Sequence, residues 1–546
     1  MRIAKKRKVT LELTRLNNSI GLPMSHKPRI PVAGNGCRAK WRLVARIVSL
    51  VAFCCAGVAQ AQTNVPAKPN DPLVDLLVKK GFLTLQEAQQ LRSESDALQT
   101  NAASFSKWKI SDGIKSVELF GDLRLRYEAR QVRTPIGGRL DLDRYRYAAR
   151  IGIRGDLASG FYYGVRLETA ANPRSPWVTF GTSSTSTGIP YQGPFGKGAA
   201  GLNLGQLYLG WHPTSNVDLT VGKTPNLLYT TPMVWDSDIN QEGAMERFKY
   251  DIGPAEFFAT FGQFLYQDDN PSTATVGLLG PGSTGHNGNT PFMLAWEGGL
   301  KYQLTKDISF KAGATLYNYV GHGTNNTAAT GAAGTPGFSD TFVGASGYGN
   351  SASTADGFYY NQTGNNNLLI LETLFEVNFK LLHRRARVFG DFAENLDGAA
   401  RAEAASAAAA DPNIYFDTIH IPVERNQNKA YQIGFAIGNG DELGLPYGQN
   451  LKRGAWEARF YWQHVEQYAL DPNLLDSDFF EGRGNLQGFY AALSYGFTDN
   501  MLGTFRYGYA SRIDKKLDTG GSNQDIPQVN PIDQYNLVQL DLTLKF

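Results

Sequence analysis

The stretch Val538-Gln539-Leu540-Asp541-Leu542-Thr543-Leu544-Lys545-Phe546 alternates apolar and polar residues without error. Extended, it sets Val538, Leu540, Leu542, Leu544 and Phe546 on one face and Gln539, Asp541, Thr543 and Lys545 on the other. A strand with nothing after it leaves a row of unpaired backbone groups along its edge. Pairing the last strand with the first removes that edge, so the pattern predicts a closed barrel.

Working back along the chain, the period stays at 2 as far as Val117. Val117, Leu119, Leu123, Leu125 and Tyr127 oppose Glu118, Asp122, Arg124 and Arg126. Tyr145, Tyr147, Ala149, Ile151 and Ile153 oppose Arg144, Arg146, Arg150 and Arg154, and Tyr163, Val165 and Leu167 oppose Arg166 and Glu168. Similar segments lie near 203–212, 216–223, 244–251, 255–265, 294–304, 307–319, 368–380, 386–394, 429–438, 454–465, 487–497 and 500–511. With the terminal strand they make about 16 strands, within a range of roughly 14 to 18, each of the length a tilted strand needs to cross a bilayer. Short turns after Asp156-Leu157, Trp211-His212, Tyr250-Asp251, Leu304-Thr305, Leu381-Leu382 and Phe497-Thr498 alternate with long loops near 171–201, 224–243, 266–292, 320–367, 395–428, 466–486 and 512–534. One link, 439–453, is longer than its end of the pattern expects. Long loops at one end and short turns at the other suit a transmembrane antiparallel β-barrel better than a soluble sandwich. Aromatic residues near strand ends, Tyr317 and Tyr319, Trp456 and Trp462, Tyr507 and Tyr509, are expected to form the interfacial girdles.

Composition excludes a helical membrane protein: mean hydropathy is −0.31, and beyond the N-terminal region no run approaches the roughly 18 apolar residues of a membrane helix. In that region Arg38, Lys40, Arg42 and Arg46 precede the apolar run Ile47–Val58, and Ala59-Gln60-Ala61 has the form of a cleavage site. Residues 1–61 therefore read as a signal peptide with an over-extended basic leader. Residues 62–110 read as a periplasmic spacer with a helical lead-in broken at Gly81, and 115–546 as the barrel. All three cysteines, Cys37, Cys54 and Cys55, leave with the leader, and with them any disulfide framework or cysteine nucleophile. Of the 53 basic and 50 acidic residues, 12 and 1 lie in the leader, so the mature chain carries a formal net charge of −8. That balance argues against nucleic acid as a partner.

An arginine facing lipid at the bilayer midplane costs about 2 to 4 kcal/mol. Arg124, Arg126, Arg144, Arg146, Arg150, Arg154 and Arg166, with Glu118, Asp122, Glu128, Asp156 and Glu168, must accordingly line the lumen. Such a wall either attracts anionic solutes or pairs within itself. Two segments resemble each other, Trp235-Asp236-Ser237-Asp238 and Leu475-Asp476-Ser477-Asp478, and each precedes a strand on the long-loop side. Their spacing departs from that of an EF-hand loop. Asp236, Asp238, Asp476 and Asp478 are expected to shape strand starts and place acid at the pore mouth. The Ala-rich run 399–410 suits a short helix within a loop. The histidines are scattered without ligand spacing, and no catalytic, cofactor or metal site is expected.

These motifs have an order that resembles the putative porins of proteobacterial outer membranes. The likeness runs from about Asp71 to Phe546 and rests on LVDLLVKKGFLTLQEAQQL at Leu73, FGDLRLRYEAR at Phe120, DRYRYAARIGIRGDLASGFYYGVRLET at Asp143, VWDSDINQEG at Val234 and DSDFFEGRGNLQG at Asp476. It implies an outer-membrane channel for small hydrophilic solutes, possessing no catalytic residues and set among lipid and lipopolysaccharide, with a homo-trimer as one open assembly. The terminal strand resembles the signal read by the barrel-insertion machinery of Gram-negative bacteria. An alginate-export-like channel for anionic solutes and a receptor or adhesin barrel are the alternatives.

Overall fold

The computed structural model describes residues 113–170, 175–181, 201–266, 292–320, 367–409, 422–440, 443, 452–520, 525–526 and 529–546, all within the unit Gln90–Phe546. The expected signal peptide, the lead-in and most of the loop at 320–367 lie outside these residues.

Alternating sequence becomes strand wherever it was expected. The strands are β1 (Glu118–Arg133), β2 (Arg139–Asp156), β3 (Phe161–Ala170), β4 (Val178–Thr179), β5 (Gly201–Thr214), β6 (Val217–Thr224), β7 (Gln241–Ile252), β8 (Ala255–Leu265) and β9 (Phe292–Thr305). They continue as β10 (Ile308–Val320), β11 (Leu369–Leu381), β12 (Arg384–Asn395), β13 (Lys429–Gly438), β14 (Trp456–Val465), β15 (Leu486–Gly496), β16 (Met501–Arg512) and β17 (Gln534–Lys545). Sixteen of them form a closed antiparallel barrel, each bonded to its chain neighbours, and the two-residue β4 prolongs the β3 edge along β2. The Ala-rich run forms helix α1 (Gly398–Ala409) between β12 and β13. β1 and β2 extend further than the sequence suggested, so only Thr134–Gly138 joins them and the long-loop end includes one tight hairpin.

Closure places β17 against β1 from Asp122↔Lys545 to Arg133↔Gln534. Beyond β17, Gly121 and Phe546 exchange backbone hydrogen bonds of 2.9 and 3.1 Å. The Phe546 ring lies over Gly121, where a Cβ would stand 2.7 Å from the ring and 2.4 Å from the Arg150 carbonyl oxygen.

The two faces of the wall are inverted relative to a soluble protein. Leu123 is 49% exposed and Ile151 46%, whereas inward Arg126 is 3% exposed. Leaving such leucines in water would forfeit about 1.5 to 3 kcal/mol each, so the outer face is built for lipid. Trp456, Trp462, Tyr507 and Tyr509 share the outward register of their strands. Tyr317 and Tyr319 depart from the girdle expectation and point inward, in phase with Lys311 and Thr315. There Tyr317 donates to Glu372 at 2.6 Å, a partner that lipid could not supply.

Towards the long-loop end the inner face turns apolar. Met233, Val234 and Trp235 from the β6–β7 link, Leu470, Leu475, Phe479 and Phe480 from the β14–β15 link, and Ile526, Val529 and Ile532 from the β16–β17 link pack against inward Val132, Met245, Phe264, Tyr490 and Leu537. Three links thus fold into the barrel and share one core.

The seam yields a test. Gly121→Val drives a side chain into the β2 backbone and displaces the Phe546 ring, an overpacking cost of about 1 to 3 kcal/mol. The folded, fast-migrating band on unheated SDS gels should then convert to the unfolded band at a lower temperature than in the wild type.

Candidate functional site

All seven arginines singled out from the sequence lie on the inner face of β1, β2 and β3, and each meets a carboxylate. Near the short-turn end Arg154 pairs with Glu118 at 2.8 Å, Arg124 with Asp122 at 2.6 Å and Arg166 with Glu168 at 2.9 Å. At mid-height Arg126 grips Asp541 of β17 with two bonds of 2.8 and 2.9 Å and Asp478 with two of 2.5 and 3.2 Å, while Trp177 covers its guanidinium at 4.0 Å. Higher still, buried Glu128 takes Arg130 at 3.0 Å and Arg144 at 2.5 Å, and Asp525 takes Arg130 at 2.9 Å and Arg144 at 2.5 Å. Arg146 stands 3.9 Å from Glu128 and 3.5 Å from Asp525.

Asp236, Asp238, Asp476 and Asp478 are carried in by the β6–β7 and β14–β15 links and meet one another against this wall. The links bond reciprocally: the Asp236 amide donates to the Leu474 carbonyl at 2.6 Å, and the Asp476 amide to the Pro232 carbonyl at 3.3 Å. Asp236 also accepts the Ser477 amide and hydroxyl, each at 3.1 Å. Within each motif the first aspartate accepts the amide of the second, at 2.9 Å for Asp238 and 3.1 Å for Asp478. The four carboxylates therefore stand at the level of the arginine wall and not at a rim, because two of them are drawn down by guanidinium groups.

Their protonation divides accordingly. Burial works to raise the Asp238 and Asp478 carboxyls, but Arg150 with Arg124, and Arg126 with Arg506, overturn it and hold both below the usual range. Among the described residues no guanidinium pairs with Asp476: burial and the Asp478 charge push it up to about 7. Burial and the Asp476 and Asp238 charges push Asp236 up as well. Two aspartates are thus anchors held by guanidinium groups, and two sit between the links with their carboxyls pushed up.

The β6–β7 link also reaches the opposite wall. There the Tyr229 amide donates to Glu297 at 2.5 Å, the Thr230 hydroxyl to Glu372 at 2.7 Å and the Thr231 hydroxyl to Asp391. One segment is strung from acidic side chains on β9, β11 and β12 to Arg150 on β2, across the lumen. The β14–β15 link is fixed by a left-handed turn at Phe480 (φ 60°) and Glu481 (φ 58°), conformations that cost ordinary residues about 1 to 2 kcal/mol each. Arg483 offsets that cost by bonding Glu481 at 2.8 Å and the carbonyls of Ile526 at 2.6 Å and Val529 at 2.9 Å, which ties in the β16–β17 link.

The profile of the family described as "Putative porin" matches residues 133–546. The chain belongs to this family. No curated protein matches this porin in sequence. Among solved structures it is similar to OprB of Pseudomonas putida, with 12% identity over 83% of this chain and 97% of that one and a TM-score of 0.42. It is similar also to an anion-selective porin from Comamonas acidovorans, at 11% identity, 79% and 99% coverage and a TM-score of 0.37. OmpT, an outer membrane protein of Vibrio cholerae, gives 11% identity, 81% and 100% coverage and a TM-score of 0.36.

Several residues central to the porin's interior escaped the sequence reading. Arg130 continues the alternation of β1 past Tyr127, beyond the expected Glu128, and was visible in principle. Glu297, Glu372 and Asp391 each interrupt an apolar strand in the inward phase, which is the signal that would have found them. Asp525 and Arg483 sit in loops and carry no periodic signal.

Two outcomes check this geometry. Arg126→Gln leaves Asp541 and Asp478 buried without their main partner and should cost about 3 to 5 kcal/mol in thermal or denaturant unfolding. Docking of the two links should also weaken with pH. An acid raised to about 7 in the folded state carries no penalty while protonated, and the penalty accrues as pH rises from the ordinary range near 4 through 7. Limited proteolysis within 466–485 should therefore accelerate between pH 5 and 8 in the wild type and do so less steeply in Asp476→Asn, where Asp236 alone remains.

Proposed function

We propose that this outer-membrane porin is a narrow passive channel for small hydrophilic solutes, with a preference for anions. The observation that carries the reading is a pair of inward lysines in the short-turn half, Lys301 on β9 and Lys311 on β10, which have no carboxylate within ion-pair distance among the described residues. Their neighbours Arg247, Lys249 and Arg387 pair with Asp218, Glu256 and Glu376, and Asp251 and Glu297 share the wall. The arginines of β1 to β3 are matched by acids and serve to seat the inward links, so the uncommitted positive charge is on the other wall. Potentials inside a low-dielectric cleft are focused, which raises the local concentration of counter-ions.

A passive channel, and not an enzyme, suits how the histidines are used. His464 contacts Gln487 at 3.1 Å and Glu466 at 3.4 Å, and His212 stacks on Tyr162 at 4.8 Å with Asp218 3.5 Å away. Insertion through β17, lipid and lipopolysaccharide around the outer face, and small polar solutes as cargo complete the proposal.

Planar-bilayer recording tests it. Stable steps with a reversal potential displaced towards chloride are expected in a potassium chloride gradient, and absence of conductance would overturn the reading. Asp478→Asn and Asp238→Asn should each raise the chloride preference a few-fold by removing a negative charge from the wall, given that a unit charge 4 Å away in water is worth about 1 kcal/mol. Arg247→Gln should lower it.

A further inference from the structure

We propose that the recess on the inner face of β6 to β10, roofed by Leu227–Tyr229 of the inward link, is a binding site for a small carboxylate with a flat apolar body. The proposal names a solute class for the channel described above and rests on that reading for how the solute arrives.

The recess encloses about 380 Å³, towards the lower end of the range for small-molecule sites. Its charged groups are committed except one. Arg247 pairs with Asp218 at 2.9 Å, Lys249 with Glu256 at 2.6 Å, and Glu297 accepts the Thr260 hydroxyl at 2.6 Å and the Tyr229 amide at 2.5 Å. Lys311 is the remaining cation, and among the described residues no carboxylate stands within ion-pair distance of it. Its ammonium lies 3.6 Å from the centre of the Tyr229 ring and 4.9 Å from that of Phe258. The two rings meet edge to face at 5.9 Å and 89°.

Ring faces hold a cation by their quadrupole but give its N–H groups no oxygen to donate to. A bound carboxylate would supply that acceptor and turn a cation–ring contact into a charge-assisted hydrogen bond. Among the polar side chains of the lining, Leu227, Tyr229 and Phe258 offer apolar surface to the ligand's body. A phosphate or sulfate would gain the charge but leave that surface in contact with water, and a neutral aromatic would leave Lys311 without its acceptor. Both requirements are met by an aromatic or branched monocarboxylate.

Titration calorimetry of the full-length protein in detergent, with sodium benzoate as probe, tests the site. Saturable binding in the millimolar range is expected, with benzyl alcohol and acetate each weaker by roughly tenfold or more. Lys311→Gln should weaken benzoate by about tenfold, Lys311→Arg should retain it within about threefold, and Lys380→Gln, which removes an exposed cation at the short-turn rim, should leave it unchanged. Equal binding of benzyl alcohol or acetate, unaltered binding in a folded Lys311→Gln, or no saturation in the wild type would overturn the proposal. The comparison of probes needs no variant and stands if Lys311→Gln fails to fold. Conductance of the same preparation separates the two readings: a conducting protein that does not bind benzoate sinks the site alone, and a binding protein that does not conduct sinks the channel alone.

Discussion

The ion pair between Arg126 and Asp541 spans the seam at which the barrel closes, and the rest of the interior is arranged around it. Both side chains are nearly inaccessible, so either one left alone would be a buried unpaired charge. The pair is directly cross-strand in the β1–β17 register. A slip of one residue would turn Asp541 towards lipid and strip Arg126 of its partner, because every side chain changes face. Closure therefore has one permitted register, enforced by charge and not by backbone pairing, which is indifferent to side chains.

The same guanidinium uses its other edge to hold Asp478, and so couples the wall to what fills it. A link that would otherwise lie over the barrel mouth is pulled to mid-height. Its partner link is drawn to the neighbouring Arg150, and the two meet through backbone hydrogen bonds and the Asp236 carboxyl. On the far side, hydroxyl and amide donors from the β6–β7 link satisfy the acids of β9, β11 and β12. A segment held at both ends by groups of opposite sign has little freedom to retreat, which makes the passage beside it a fixed feature of the wall.

How much of this was legible depended on whether the signal was periodic. Sixteen crossing strands and their faces followed from alternation, since Leu123 and Arg124 cannot exchange faces without placing a charge in lipid. Tyr317 and Tyr319 were assigned to the membrane interface from their place near a strand end, although their phase with Lys311 already put them inside. Long-range pairing was not legible: Arg126 finds Asp478 across 352 positions and Asp541 across 415, and nothing local to any of the three announces it. The interior core was hidden for a related reason. Leu474, Leu475, Phe479 and Phe480 surround an acidic motif inside a loop, and loops are read as solvated until tertiary contacts say otherwise.

The apolar core enclosed by the long-loop half means that this molecule has two hydrophobic surfaces satisfied by two different solvents. The outer leucines and tryptophans are stabilised by hydrocarbon, and so answer to bilayer thickness and lipid identity. The inner cluster around Trp235, Phe479 and Ile532 was removed from water by folding, as in a soluble domain, and answers to temperature and denaturant through its heat capacity. A membrane change that leaves the wall content can thus leave the lumen untouched, while an aqueous osmolyte or chaotrope acts chiefly on the contents. The porin is in this sense a soluble protein's interior housed in a membrane protein's shell.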